Sequence, residues 1–251
     1  MNKTLEEEQK FQDLKVTDNI RKEYSVFYED NVEISNYLEK VLTNCIGRIL
    51  IYGCGDVDIT SFVQKGFSEV IGIDISPKSI EKINVIIHEK KLENTVKTFV
   101  MDAQAMTFED GSFDVIFGTG ILHHLDVEKS MKEIDRVLKP EGKIIFMEPL
   151  GINPIINLYR SRTQEARTEY EHPFRLKDIK IIKNYFRVRS KGFYLFTILS
   201  FGFKTIIKSN FLYKISRLVL SGLDMLLLSL LPLDYLCWII VIEGKKRNST
   251  V

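Results

Sequence analysis

The sequence predicts an α/β fold: a doubly wound, mostly parallel sheet of seven strands. Three observations predict it. Apolar runs at 48–52, 69–73, 97–101, 113–118 and 143–148 alternate with helical patterns at 58–66, 77–91 and 127–138, and crossovers of that length join parallel strands. The first run ends in a glycine turn, Tyr52-Gly53-Cys54-Gly55. The second ends in Asp74, about 20 residues further on. Such a turn lets a ligand approach the backbone, and a carboxylate after the next strand can hold both hydroxyls of a ribose. A nucleoside-containing ligand across the carboxyl ends of the strands is the reading. The glycine turn alone also occurs as a bare tight turn, so the rest of the chain must choose.

The remaining elements follow in order. Residues 1–45 read as a mostly polar helical cap, with Tyr24, Phe27, Tyr28 and Tyr37 buried or facing a ligand. Residues 46–150 form the cofactor-binding core, in which Lys139-Pro140-Glu141-Gly142 is a turn before the fifth strand. Residues 151–251 carry a substrate cap, an apolar helical insertion and closing strands. The stretch 149–174 is irregular, with Pro149, Pro154 and Pro173, and a loop of that length over a crevice reads as a lid. A basic helix at 175–185 precedes strands near 187–199 and 235–243, which can pair antiparallel on the sheet edge.

The insertion, 200–231, is unusual. In a helix from 210, Asn210, Lys214, Arg217, Ser221 and Asp224 form one narrow polar stripe, and apolar residues cover the remaining girth. Such a helix is deeply buried, docks a second copy, or lies in a membrane interface. The aromatic run Phe193–Phe203 with Lys204 and Lys208 just beyond suits the headgroup level of a bilayer. A transmembrane span from Met225 to Ile242 is a third option, interrupted by Pro232 and Asp234.

Net charge is +1 but unevenly spread: residues 152–251 hold 17 Lys+Arg against 7 Asp+Glu. That part favours anions or is a solvated basic face. Cys45, Cys54 and Cys237 are few and not in metal-ligand spacing, so neither a structural disulfide nor a metal site is expected. The acidic start, Glu6-Glu7-Glu8, is unlike a signal peptide. The expected location is cytoplasmic, with peripheral contact to the inner face of a membrane as the variant reading.

Five blocks in register choose the cofactor. They are Ile49–Gly55; Ile71-Gly72-Ile73-Asp74-Ile75-Ser76; Met101-Asp102-Ala103; Phe113–Leu125, with Gly118-Thr119-Gly120 and His123-His124; and Arg136–Lys143. Over about residues 45–150 the chain resembles class I S-adenosylmethionine-dependent methyltransferases of the small-molecule type that includes the ubiquinone/menaquinone enzymes, with their Rossmann-like fold. A nicotinamide-dinucleotide reading would want glycine at position 58 and has no use for the Asp102-Ala103 turn. The resemblance implies S-adenosylmethionine as cofactor. It implies that Gly53 and Gly55 meet its methionine and ribose parts and that Asp74, with Ile75, takes the ribose hydroxyls. Asp102 accepts from the adenine amine beside Ala103, and Thr119 and Gly120 lie near the sulfonium. Ile51 and Val57 stand where the family often has an acidic residue and a third glycine; Asp56 or Asp58 is the replacement carboxylate.

The acceptor is less legible. Methyl transfer needs the nucleophile in line with the methyl–sulfur axis and, for a hydroxyl or carbon acid, a base. The base candidates are His123, Glu148 and His172. Tyr28, Asn153, Tyr159, Arg160, Arg167 and Glu171 are the candidate substrate contacts, the arginines suiting an anionic group. The expected acceptor is a small molecule, hydrophobic, anionic or lipid-linked, with O-methylation favoured over C-methylation. Gly118-Thr119-Gly120 is unlike the turns that grip planar amine nitrogens. Rival readings are an RNA or protein methyltransferase and a non-catalytic scaffold that binds a partner or membrane. No aromatic–basic nucleic-acid module appears.

Overall fold

The structure, a computed structural model, describes residues 3–18, 31–162, 172 and 174–247. Among these, seven strands form one sheet in the order β3-β2-β1-β4-β5-β7-β6. β1 (Arg48–Tyr52), β2 (Glu69–Asp74), β3 (Val96–Val100), β4 (Phe113–Thr119) and β5 (Leu138–Pro149) run parallel. β7 (Ile239–Lys246) is antiparallel to both β5 and β6 (Phe186–Phe193). The predicted mostly parallel, doubly wound sheet is what forms. β1 and β4 are near-continuous apolar runs because strands covered on both faces bury side chains pointing either way, and only Arg48, Asp114 and Thr119 are partly exposed. Ile49, Ile51, Val115 and Phe117 enter one core layer, and Leu50, Tyr52, Ile116 and Phe146 enter the other. Strand order reverses at β1, opening a crevice between the carboxyl ends of β1 and β4.

The helices are α1 (Lys3–Asp18), α2 (Val32–Leu42), α3 (Ser61–Gln64), α4 (Pro77–Glu89), α5 (Val127–Val137), α6 (Pro154–Arg162), α7 (Leu176–Tyr185), α8 (Ser200–Thr205) and α9 (Asn210–Leu230). Local chemistry starts two of the core helices. Ser76 Oγ accepts the Ser79 amide ahead of Pro77 at the head of α4, and Asp126 accepts the Lys129 amide at the head of α5.

Several expectations are corrected. The 58–66 helix shrinks to α3, because Asp58 ties its carboxylate to the amide and hydroxyl of Thr60 in a turn. Residues 139–142 do not precede the fifth strand; they lie inside β5, where Glu141 takes a left-handed φ of 64° and the pairing with β4 shifts register. The irregular stretch 149–174 contains α6. The sixth strand stops at Phe193, since Tyr194 turns to φ 65° and the chain enters α8. The span from Met225 to Ile242 is excluded: Ile239 onward is sheet, and among the described residues no helix is long and apolar enough to cross a membrane. Tyr37 is core-side, donating to Glu243 at 2.8 Å and packing on Phe193. Tyr24, Phe27 and Tyr28 lie outside the described residues.

Candidate functional site

A cavity of about 800 Å³ opens at the crevice, a size typical of ligand sites. Gly53, Gly55, Asp74, Ile75, Asp102, Ala103, Thr119 and Gly120 all line it. The eight positions come from four separate loops, and the topology brings them to one wall.

Each loop is held by specific bonds. At Gly53, φ is 75°, and a Cβ would stand 2.9 Å from the Ile121 side chain. At Gly55 a Cβ would stand 2.9 Å from Asp74 Oδ2, the atom that accepts the Gly55 amide at 2.9 Å. Only a hydrogen side chain permits both approaches. Asp74 Oδ1 accepts the Ser76 amide at 2.9 Å, so both carboxylate oxygens are oriented by backbone. Asp102 Oδ1 accepts the Gln104 amide at 2.8 Å, and buried Tyr52 Oη donates to the Ala103 carbonyl at 2.7 Å. The end of β1 thereby holds the turn after β3.

The cavity's electrostatics select the charge of its ligand. Glu8, Asp56, Asp74, Asp102 and Asp126 line it, against Lys82 and Lys129. Five carboxylates facing two ammonium groups suit a cationic, hydroxyl-rich ligand and oppose a diphosphate. Of the two carboxylates considered in place of the family's missing one, Asp56 lines the cavity, whereas Asp58 is engaged with Thr60.

The base candidates are placed differently from expectation. His123 and Glu148 stand behind the cavity wall. Glu148 is fully buried; its Oε1 accepts the amides of Ile121 and Leu122 at 3.0 and 2.8 Å, and its Oε2 lies 2.7 Å from His123 Nδ1. Burial pushes the Glu148 carboxyl up to about 7, against the opposing pull of those two amides and of His124. His172 donates its amide to the His123 carbonyl and lies off the cavity as well. The imidazole that does line the cavity is His124, whose Nδ1 lies 3.2 Å from Glu8 Oε1. Leu122–His124 is a 3₁₀ turn, which swings successive side chains about 120° apart and sends one histidine into the wall and the next into the crevice.

Of the substrate candidates, Asn153 is the one whose side chain is among the described residues. Asn153 is buried and committed to structure: its Oδ1 accepts the amides of Ile155 and Ile156, and its Nδ2 donates to the Leu236 carbonyl. Tyr159 and Arg160 fall on α6, but their side chains are not described. Tyr28, Arg167 and Glu171 lie outside the described residues. What sequence reading missed is α1, which presents Leu5, Glu8, Gln12 and Val16 to the cavity. Their steps of 3, 4 and 4 mark one helix face, a signal readable in the sequence.

Residues 50–146 match the family model described as methyltransferase domain. The demethylmenaquinone methyltransferase of Lactobacillus johnsonii is 36% identical over 112 residues, 43% of this chain and 46% of that protein. The ubiquinone/menaquinone biosynthesis C-methyltransferase UbiE of Geobacter sp. is 33% identical over 115 residues, 44% and 49% of the two chains. The chain thus spans about half the length of these curated relatives. Among solved structures, the YcgJ protein of Bacillus subtilis superposes with a TM-score of 0.58 at 19% identity, over 85% of this chain and 98% of that one, which shows a shared fold.

Proposed function

Residues 50–146 being a methyltransferase domain, we propose that the protein transfers a methyl group from S-adenosylmethionine to a small-molecule acceptor. The observation that carries this reading is the convergence of all eight expected cofactor positions on one cavity whose charged groups are mostly carboxylates. S-adenosylmethionine supplies an electrophilic methyl group on a sulfonium. The chain's own residues do the rest. Asp74 and Asp102 bind the ribose and adenine ends, Asp56 meets the methionine amine, and Gly53 and Gly55 admit the cofactor to the backbone. α1 covers the crevice and limits water.

His124, backed by Glu8, is the base that takes the acceptor's proton. His123 and Glu148 are positioning residues that hold the Gly120–Leu122 turn. O-methylation is favoured because one imidazole–carboxylate pair is enough to deprotonate an acidic hydroxyl. C-methylation is the alternative, and the name of the UbiE relative keeps it in view.

The test is calorimetric titration with S-adenosylmethionine and S-adenosylhomocysteine, wild type beside Asp74→Ala, followed by transfer of a labelled methyl group to a panel of phenols and quinols. Micromolar binding lost in the variant is the expected result. Absence of binding by folded protein would leave a scaffolding role as the better account.

A further inference from the structure

α9 is inside out. Arg217 and Asp224 of its polar stripe, which in an ordinary surface helix would face water, face the protein, while Asn210 and Lys214 stay exposed at the stripe's edge. Arg217 pairs with Glu33 of α2 and lies over the rings of Tyr194 and Phe201 at 5.6 and 5.9 Å. Buried Asp224 accepts the Phe196 amide at 2.8 Å, the Thr197 amide at 3.1 Å and the Thr197 hydroxyl at 2.7 Å. The opposite face points outward. Phe211, Leu218 and Met225, at steps of seven, are 72%, 75% and 74% exposed, and Ile206 just before the helix is 82% exposed. At 100° per residue, the exposed apolar arc from Met225 through Phe211 to Leu223 spans about 160°. A contiguous exposed apolar face along a helix of 21 residues marks an interaction surface.

We propose that α8 and α9 lie in the plane of an anionic lipid surface with this face among the headgroups and upper acyl chains. Charge complementarity selects that occupant. Lys204, Lys208 and Lys214 accompany the apolar face, and the only carboxylate between Phe196 and Leu233 is Asp224, which is buried. No exposed carboxylate of this segment opposes an anionic headgroup. A second copy suits the face less well. The arc is wider than a coiled-coil seam, and the row Phe211, Ile215, Leu218, Gly222, Met225, Ser229 breaks at its glycine and serine.

Position gives the contact a consequence. Ile239 pairs with both Phe193 and Pro149, so the α8–α9 connection leaves the sheet at the carboxyl end of β5, the same end of the sheet at which the cavity lies. Docking brings that edge to the headgroup plane. Access of a bilayer-dissolved acceptor to the cavity rests on the methyl-transfer reading above; the docking itself does not.

The experiment is flotation of the purified full chain with vesicles of phosphatidylcholine alone and of phosphatidylcholine with phosphatidylglycerol. Wild type is expected to float with the anionic vesicles. A triple variant, Phe211→Ser, Leu218→Ser and Met225→Ser, should lower the bound fraction about tenfold or more. The pair Lys208→Glu and Lys214→Glu should remove the preference for anionic lipid. Val85→Ser, an exposed apolar position on α4, should float like wild type. Thermal melting confirms that each variant is folded. The proposal is overturned if folded wild type stays at the bottom with both vesicles, or if the triple variant floats unchanged. It is equally overturned if sedimentation shows a dimer, dissociated by the triple variant, that does not bind vesicles. Cofactor titration of the same samples reports separately on the methyl-transfer reading.

Discussion

The Gly55 amide donates to Asp74 Oδ2 at 2.9 Å, so the first glycine loop and the carboxylate at the end of β2 are one unit before any ligand arrives. Asp74→Ala removes the proposed ribose contact and also releases both the Gly55 and Ser76 amides. S-adenosylhomocysteine affinity should fall about 100-fold, near 3 kcal/mol. Asp74→Asn retains an acceptor oxygen and should lose less. Unchanged calorimetric affinity in Asp74→Ala would place the ribose elsewhere.

Tyr52 is a second lever, acting from beneath the site. Tyr52→Phe keeps the buried ring but strands the Ala103 carbonyl without its donor. Urea denaturation should show a loss of about 1–3 kcal/mol. Weaker cofactor binding should accompany it, since the Asp102–Ala103 turn loses its anchor. A variant with wild-type stability and affinity would show that the turn holds itself.

Glu148 makes stability depend on pH. Its carboxyl is raised from 4.5 to about 7, so between those values the folded protein holds a proton that the unfolded chain has released. The folded state binds more protons there, and this group's contribution to stability falls as pH rises through the window, on the order of 3 kcal/mol in all. Glu148→Gln still offers an oxygen to the Ile121 and Leu122 amides and should flatten that slope. Denaturation midpoints across the window measure it; equal slopes in wild type and variant would refute the assignment.

Asp224 tests how α9 is attached. Asp224→Ala leaves two amides and a hydroxyl unsatisfied in a buried setting and should cost about 3 kcal/mol. Protease cutting between α8 and α9 should quicken, while S-adenosylhomocysteine affinity changes little because the cavity lining contains no residue of either helix. Mass mapping of the first cuts distinguishes local release of α9 from global unfolding.

His124 offers the direct probe of base chemistry. His124→Ala should lower the rate constant of methyl transfer about 100-fold and leave cofactor affinity nearly unchanged. His123→Ala should instead lower thermal stability. Should His123→Ala abolish turnover with cofactor affinity intact while His124→Ala does not, the roles are reversed.

The sequence by itself determined the parallel core and which residues line the crevice at the carboxyl ends of its strands. Buried strands must be apolar throughout, close backbone approach demands Gly53 and Gly55, and a carboxylate after β2 can point only into the crevice. These requirements are local, so they leave marks at fixed spacing. Tertiary structure decided the rest. His123 and His124 are chemically identical neighbours, and only the 3₁₀ turn packed against Glu148 separates wall from crevice. Asn153 carries no mark of being committed to a cap and to the Leu236 carbonyl. The stripe on α9 reads the same whether it meets water or protein, because periodicity gives the angle between two faces and not which one is turned inward. Glu33 and the amides of Phe196 and Thr197, distant in sequence, supply the partners that turn it in.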